Sequence, residues 1–268
     1  MSAQTHSAVA RDGTRIAYRL TPGNGPARFV LIHSLAMNGG FWDGVVPRLR
    51  EAGDVLAVDC RGHGASDRPA GPYTVERFAD DLADVMADAA WNAAVVAGTS
   101  MGGCVALAFA GAYPRKVQAL GLIDTTAWYG AEAPAQWEER AQKGLSDGLA
   151  SLVAFQATRW FSDGFRADHP DVLDSAVAAF LANDPQAYAE TCRMLGRCDR
   201  RAGLGDIAAP TSIIVGSEDY ATPVAMAQAL HAAIHGSTLE VLEGVRHLSP
   251  LERPDLIADR LKTLAERA

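Results

Sequence analysis

Short apolar runs recur along the chain, and they are continuous rather than alternating. Phe29–His33, Asp54–Val58, Ala94–Ala97, Ala119–Ile123, Ser212–Val215 and Thr238–Leu242 are rich in branched side chains. Such runs predict strands buried on both faces. Ahead of them, Ser7–Arg11 and Arg15–Leu20 flank the turn pair Asp12-Gly13, which predicts two short strands around a turn. Between the runs the apolar period lengthens to that of a helix. Thr74–Ala90 opens on a residue suited to capping and carries acidic side chains along its outer face. Met101–Tyr113 is alanine-rich and stops before Pro114, Pro223–Ile234 begins on a proline, and Pro254–Ala268 closes the chain with mixed charges. Strands alternating with helices require crossover connections, hence an α/β fold with a mostly parallel sheet.

One stretch breaks the alternation. From about Thr125 to Gly205 no run reads as a strand; Ala135–Lys143, Gly148–Trp160, Pro170–Leu181 and Pro185–Cys198 all carry helical patterning. So long a connection between two strands is not a loop. We expect a helical cap inserted at 125–205, over a core made of residues 1–124 and 206–268.

Gly98-Thr99-Ser100-Met101-Gly102 lies between a buried strand and a helix. A serine lifted above the sheet on a strained strand-to-helix turn needs neighbours without side chains on both sides. The turn also places its hydroxyl at a helix N-terminus, where negative charge is favoured. This pattern in this setting resembles the nucleophile elbow of α/β-hydrolases. A serine needs a base and an orienting acid, expected later in the chain in the order acid, then histidine. His247 follows the last strand, and Asp219 follows the one before it, with Glu218 the competing acid. Met101, as the residue after the serine, offers one backbone N–H to an oxyanion; Leu35, in the loop after Phe29–His33, offers the second. His33 is expected to shape that loop rather than act as a base. Asp59-Cys-Arg-Gly-His-Gly-Ala-Ser-Asp67 reads as a tight loop around His63, with Arg61 and Asp67 available to pin it.

Composition narrows the classes. At 268 residues with 49% hydrophobic and 21% charged positions, the chain can bury a large core without disulfides or a structural metal. The net charge of -8 argues against a nucleic-acid partner. Cys60, Cys104, Cys192 and Cys198 show no metal-ligand spacing and are expected to be reduced and partly buried. The first residues lack a signal-peptide core and no run is long enough for a membrane span, so the expected location is the cytoplasm. Nothing in these residues speaks to oligomeric state.

The segments HSLAMNGGFWDGVVPRL, DCRGHGASDRPAGPYT, GTSMGGCVAL, GSEDYATP and HLSPLERP, in that order, resemble the 3-oxoadipate enol-lactonases of the α/β-hydrolase superfamily. The likeness covers most of the chain. Ser34, where many relatives carry glycine, together with GPYT, HLSPLERP and Thr158-Arg-Trp-Phe-Ser162, narrows it toward the lactonases. The resemblance implies Ser100, Asp219 and His247 as catalytic residues, preferring Asp219 over Glu218. It implies hydrolysis of a small enol lactone through an acyl-enzyme, with no metal or organic cofactor. Such a substrate carries a carboxylate, so a cation should line its pocket. Arg193 and Arg197, on one helical face with Arg200, are the candidates, with Ser34, Trp128 and Trp160, and also Trp137, as further pocket residues. The segment after Ile123, with Trp128 and Tyr129, and CDRRAGLGDI near the end of the expected cap depart from the family's pattern. A general carboxylesterase, a hydrolase of another ring or carbon–carbon bond, and a non-catalytic ligand receptor are the competing readings; a haloalkane dehalogenase would want a carboxylate where Ser100 stands.

Overall fold

The computed structural model describes residues 4–268. Eight strands form one sheet: β1 Gln4–Val9, β2 Arg15–Thr21, β3 Ala27–Ile32, β4 Gly53–Val58, β5 Ala94–Thr99, β6 Val117–Ile123, β7 Thr211–Gly216 and β8 Thr238–Leu242. Their order is β1-β2-β4-β3-β5-β6-β7-β8. β1 and β2 are an antiparallel hairpin, β2 meets β4 antiparallel, and every other pair is parallel. This is the mostly parallel sheet that the continuous apolar runs predict. Each expected strand lies within two or three residues of an observed one, the first being shifted toward the N-terminus.

Eleven α-helices complete the described chain: α1 Val46–Leu49, α2 Val75–Asp88, α3 Met101–Ala112, α4 Ala133–Ser146, α5 Val153–Trp160, α6 Asp163–Asp168, α7 Pro170–Leu181, α8 Pro185–Gly196, α9 Val224–Ala233, α10 Ser249–Glu252 and α11 Pro254–Ala265. The Thr74 hydroxyl caps α2 by accepting from the Arg77 N–H at 3.2 Å. Val75, Phe78, Leu82, Val85 and Met86 then fall on one buried face. β5 is buried at every position, between β3 and β6. No helix is long and apolar enough to cross a membrane, among the described residues.

Between β6 and β7 the chain forms α4 to α8 and no strand. Trp160, Phe180 and Tyr188 meet edge to face there, with centroids 5.5 and 5.6 Å apart. These rings give the helical segment an apolar centre of its own. α6 and the four-residue α1 and α10 do not show in the sequence pattern, because none is long enough to display a period.

Candidate active site

The C-terminal ends of β3, β5, β6, β7 and β8 lead into the segments that carry Ser34, Ser100, Asp124, Asp219 and His247. In open α/β sheets ligands bind at that edge.

Ser100 stands between β5 and α3 with φ 56°, a left-handed conformation that costs energy for any residue with a side chain. The flanking glycines permit it. A Cβ on Gly98 would lie 2.1 Å from the Gly102 carbonyl oxygen, and one on Gly102 would lie 2.2 Å from that of Ile32. The Ser100 N–H donates to the Ile123 carbonyl at 2.9 Å, and the Thr125 hydroxyl donates to the Ser100 carbonyl at 2.6 Å. The spacing of glycines around the serine is therefore a requirement of backbone packing.

His247 Nε2 lies 2.8 Å from Ser100 Oγ, and His247 Nδ1 lies 2.8 Å from Asp219 Oδ2. Asp219 also accepts from the N–H groups of Ala221 and Thr222, at 2.7 and 2.9 Å, and from the Thr222 hydroxyl at 2.8 Å. Burial pushes this carboxyl up, but the His247 charge and these donors outweigh it and hold Asp219 below its ordinary value. An ionised Asp219 makes Nδ1 the protonated nitrogen, so Nε2 is free to accept the serine proton. Glu218 faces Arg246 at 3.3 Å instead of the imidazole.

Two residues absent from the sequence expectations brace this arrangement. Asp124, fully buried, accepts from the Gly216 N–H at 3.1 Å and the Ser249 N–H at 2.9 Å. It thus ties the segment leading to Asp219 to the one following His247. Burial and then the Asp219 charge push its carboxyl well above the ordinary value. Thr222 is the second. Its only sequence signal is its place between Asp219 and the proline that opens α9.

A cavity of about 70 Å³ opens over Ser100 and His247. Ser34 and Leu35 line one side; Tyr129, Trp137, Arg140, Gln156, Arg159 and Trp160 come from the helical segment. Among the described residues, no group accepts from the backbone N–H of Leu35 or Met101. The structure brings together Ser34, Leu35, Ser100, Trp137, Trp160 and His247 as lining residues, and Asp219 behind them.

The expected substrate contacts at Arg193, Arg197 and Trp128 need correction. Arg193 is bound to Glu138 at 2.8 Å and Glu190 at 2.7 Å, and Arg197 donates to the Tyr73 carbonyl at 3.3 Å. Arg200 is paired with Glu76. Trp128 lies under the Arg201 guanidinium, 3.7 Å from it, in a separate groove with Leu204 and Met226. The cations of the cavity are Arg140 and Arg159. Arg140 donates to the Tyr188 hydroxyl at 2.8 Å, and Arg159 to the Tyr220 carbonyl at 2.6 Å. Neither forms an ion pair with a carboxylate among the described residues. Burial, then the neighbouring Arg140 charge, pulls the Arg159 guanidinium below its ordinary value.

His33 and His63 lie outside the cavity. The His33 Nδ1–H donates to the Ser34 carbonyl at 2.7 Å, and Nε2 accepts from the Cys60 N–H at 3.0 Å. His63 packs 5.1 Å from it, centroid to centroid. In the same loop Arg61 is paired with Asp81 at 2.5 Å, while Asp67 binds Arg15. All four cysteines are free and buried.

Residues 29–260 match the model of the alpha/beta hydrolase family. The chain is 32% identical over 238 residues to 3-oxoadipate enol-lactonase 2 of Acinetobacter baylyi, covering 89% of this chain and 88% of that one. It is 29% identical to a pimeloyl-[acyl-carrier protein] methyl ester esterase of Neisseria meningitidis, covering 88% and 76%. The crystal structure of the enol-lactonase from Burkholderia xenovorans LB400 superposes with a TM-score of 0.92 at 30% identity, covering 97% of this chain and 100% of that one. The chain is a carboxylic ester hydrolase and belongs to the alpha/beta hydrolase family, resembling its 3-oxoadipate enol-lactonases.

Proposed function

We propose that this protein hydrolyses a small lactone bearing a free carboxylate, with 3-oxoadipate enol-lactone the best-supported substrate, as part of the breakdown of aromatic compounds. Ser100 is the nucleophile, His247 the general base and Asp219 the acid that orients it. Residues 125–205 serve as the cap, over a core of residues 1–124 and 206–268.

The carrying observation is the pair of cavity arginines without carboxylate partners, beside a serine already bonded to histidine. A desolvated guanidinium lacking an acidic partner favours an incoming carboxylate. The two lactonase relatives support that choice.

Ser100 Oγ attacks the ring carbonyl as its proton passes to His247 Nε2. The N–H groups of Leu35 and Met101 receive the tetrahedral oxyanion, a stabilisation worth about 3 kcal/mol per donor. Collapse expels the ring oxygen as an enolate, which stays tethered to the acyl-enzyme and takes up the proton held by His247 Nε2 to become the ketone, leaving the imidazole neutral again. A water then attacks the acyl carbon as its proton passes to His247 Nε2, and that proton is handed on to Ser100 Oγ as the acyl–oxygen bond breaks and the carboxylate product leaves.

The test compares turnover of the enol lactone with that of p-nitrophenyl acetate, in the wild type and in Arg140→Met. We expect the variant to lose about 100-fold in kcat/KM on the anionic lactone and to stay within about threefold on the neutral ester. Equal losses on both substrates, or no preference for the lactone in the wild type, would overturn the reading.

A further inference from the structure

The turn that presents Leu35 is strained, and it is held from two sides. Its ends are joined by a hydrogen bond from the Met37 N–H to the Ser34 carbonyl at 3.1 Å. Ala36, the residue after Leu35, has φ 60°. Glycine adopts that conformation freely, whereas alanine's Cβ crowds its own backbone there. Something outside the turn must keep Ala36 in place.

One grip comes from the core. Ser34 C=O and Leu35 N–H share a peptide plane. The bond from His33 Nδ1 to that carbonyl therefore sets the direction of the Leu35 N–H and polarises it. The other grip comes from the helical segment. Asn183, at the corner between α7 and α8, donates from Nδ2 to the Ala36 carbonyl at 2.8 Å. The same amide nitrogen faces the carbonyls of Ala179 at 2.8 Å and Phe180 at 3.1 Å. Three surrounding carbonyl oxygens fix which end of the amide points inward. Asn183 is thereby anchored to the C-terminal end of α7 and reaches across to the turn. Ala36 is fully buried, so without Asn183 its carbonyl would be left without a partner and without ready water. Among the described residues, this is the one hydrogen bond between residues 125–205 and the turn from Ser34 to Met37.

We propose that Asn183 is a positioning residue for the oxyanion donor Leu35. Seating of α7 and α8 holds Ala36 left-handed, and this bond acts together with that of His33 to present the Leu35 N–H to the reacting carbonyl. The helical segment then contributes to bond cleavage itself as well as to substrate choice. If Ala36 relaxes to negative φ, the peptides on either side of it rotate, the Met37-to-Ser34 bond that closes the turn is strained, and the Leu35 N–H shifts relative to Ser100.

This inference rests on the proposed roles of Ser100 and Leu35, so Ser100 acylation by p-nitrophenyl acetate is first checked by mass spectrometry. Asn183→Ala removes the donor; Asn183→Asp keeps the size but offers only acceptors. Both are assayed on p-nitrophenyl acetate, with a trifluoromethyl ketone that forms an oxyanion on Ser100 and a simple dicarboxylate that does not. We expect kcat to fall about tenfold or more in both variants, and the trifluoromethyl ketone to weaken by a similar factor. Dicarboxylate affinity should stay within about twofold. Adding Ala36→Gly to Asn183→Ala should restore much of kcat, because glycine keeps φ 60° without the clamp. If kcat is unchanged, if both inhibitors weaken in parallel, or if Ala36→Gly restores nothing, Asn183 only packs the segment and the proposal fails. Absence of an acyl-enzyme on wild-type Ser100 would instead overturn the proposed function.

Discussion

The two walls of the cavity are built by different means. On the sheet side, positions are set by backbone meeting backbone: Gly98 against Gly102, Gly102 against Ile32, and Asp124 bonded to two main-chain N–H groups. On the helical side the lining consists of long side chains held by neutral partners, such as Arg140 on the Tyr188 hydroxyl and Arg159 on the Tyr220 carbonyl. A backbone-built wall tolerates almost no change, because a displaced strand or turn carries the whole site with it. A side-chain wall can be rewritten residue by residue without disturbing the fold beneath. Under the proposed function, bond cleavage depends chiefly on the first wall and selectivity on the second, with Asn183 reaching from one to the other.

The sharpest way to break this comparison is to remove the reacting atom. Ser100→Ala should lower kcat on p-nitrophenyl acetate by about 10⁴-fold or more. Residual turnover close to wild type would move the nucleophile elsewhere and dissolve the distinction between the walls.

Matched glycine substitutions probe the walls themselves. Gly98→Ala forces a Cβ to within 2.1 Å of the Gly102 carbonyl oxygen and should cost about 3 kcal/mol or more, together with activity. Gly164→Ala, in α6 of the helical segment, meets nothing within 4 Å and should raise stability by about 0.5–1 kcal/mol. Urea midpoints of the two variants decide the matter; equal effects would contradict it.

Acid should act first through the sheet-side loops. Burial lowers His33 to about 4, and burial followed by the His33 charge lowers His63 to about 3. Both are therefore neutral in the folded protein, while unfolded histidine titrates near 6.5. The unfolded chain takes up protons that the folded one refuses, so stability is complete above about pH 6.5 and falls as the pH drops toward 4. Two such groups give a slope of up to about 2.7 kcal/mol per pH unit. Urea midpoints between pH 7 and 4.5 should show the fall, and His63→Phe should halve it. An unchanged slope in that variant would place the acid-sensitive groups elsewhere.

The same contrast explains what could be read from the residues alone. The glycines around Ser100 and the continuous strands are short-range consequences of sterics, so their pattern lies within a few consecutive residues. Asp219 and His247 follow strand ends, so chain order narrows the candidates to His247 and to Glu218 or Asp219, and the family resemblance prefers Asp219. The helical lining has no such local signature. Arg140 and Arg159 are isolated arginines on different helices, and only packing turns them toward one cavity. Arg193 and Arg197 look clustered because helical spacing aligns them, but Glu138 reaches Arg193 from α4, a helix distant in sequence. Asp124 ends a strand as Asp219 does, and its buried main-chain acceptance becomes visible only once β7 and α10 are in place.

The smallest expected effect concerns that misleading arginine face. The Arg193 side chain is 23% exposed and its partners Glu138 and Glu190 are 43% and 21% exposed, so water and salt screen both pairs. Partly exposed pairs of this kind contribute about 1 kcal/mol. Arg193→Met should therefore lower stability by no more than that and leave KM for the anionic lactone within about twofold of wild type. Arg140→Met, one helix away, should raise KM far more. A KM increase in Arg193→Met as large as that in Arg140→Met would mean the carboxylate is read at the outer helical face. Selectivity would then lie outside the cavity altogether, and the wall formed by Arg140 and Arg159 would be a route to the serine rather than the place where substrate is chosen.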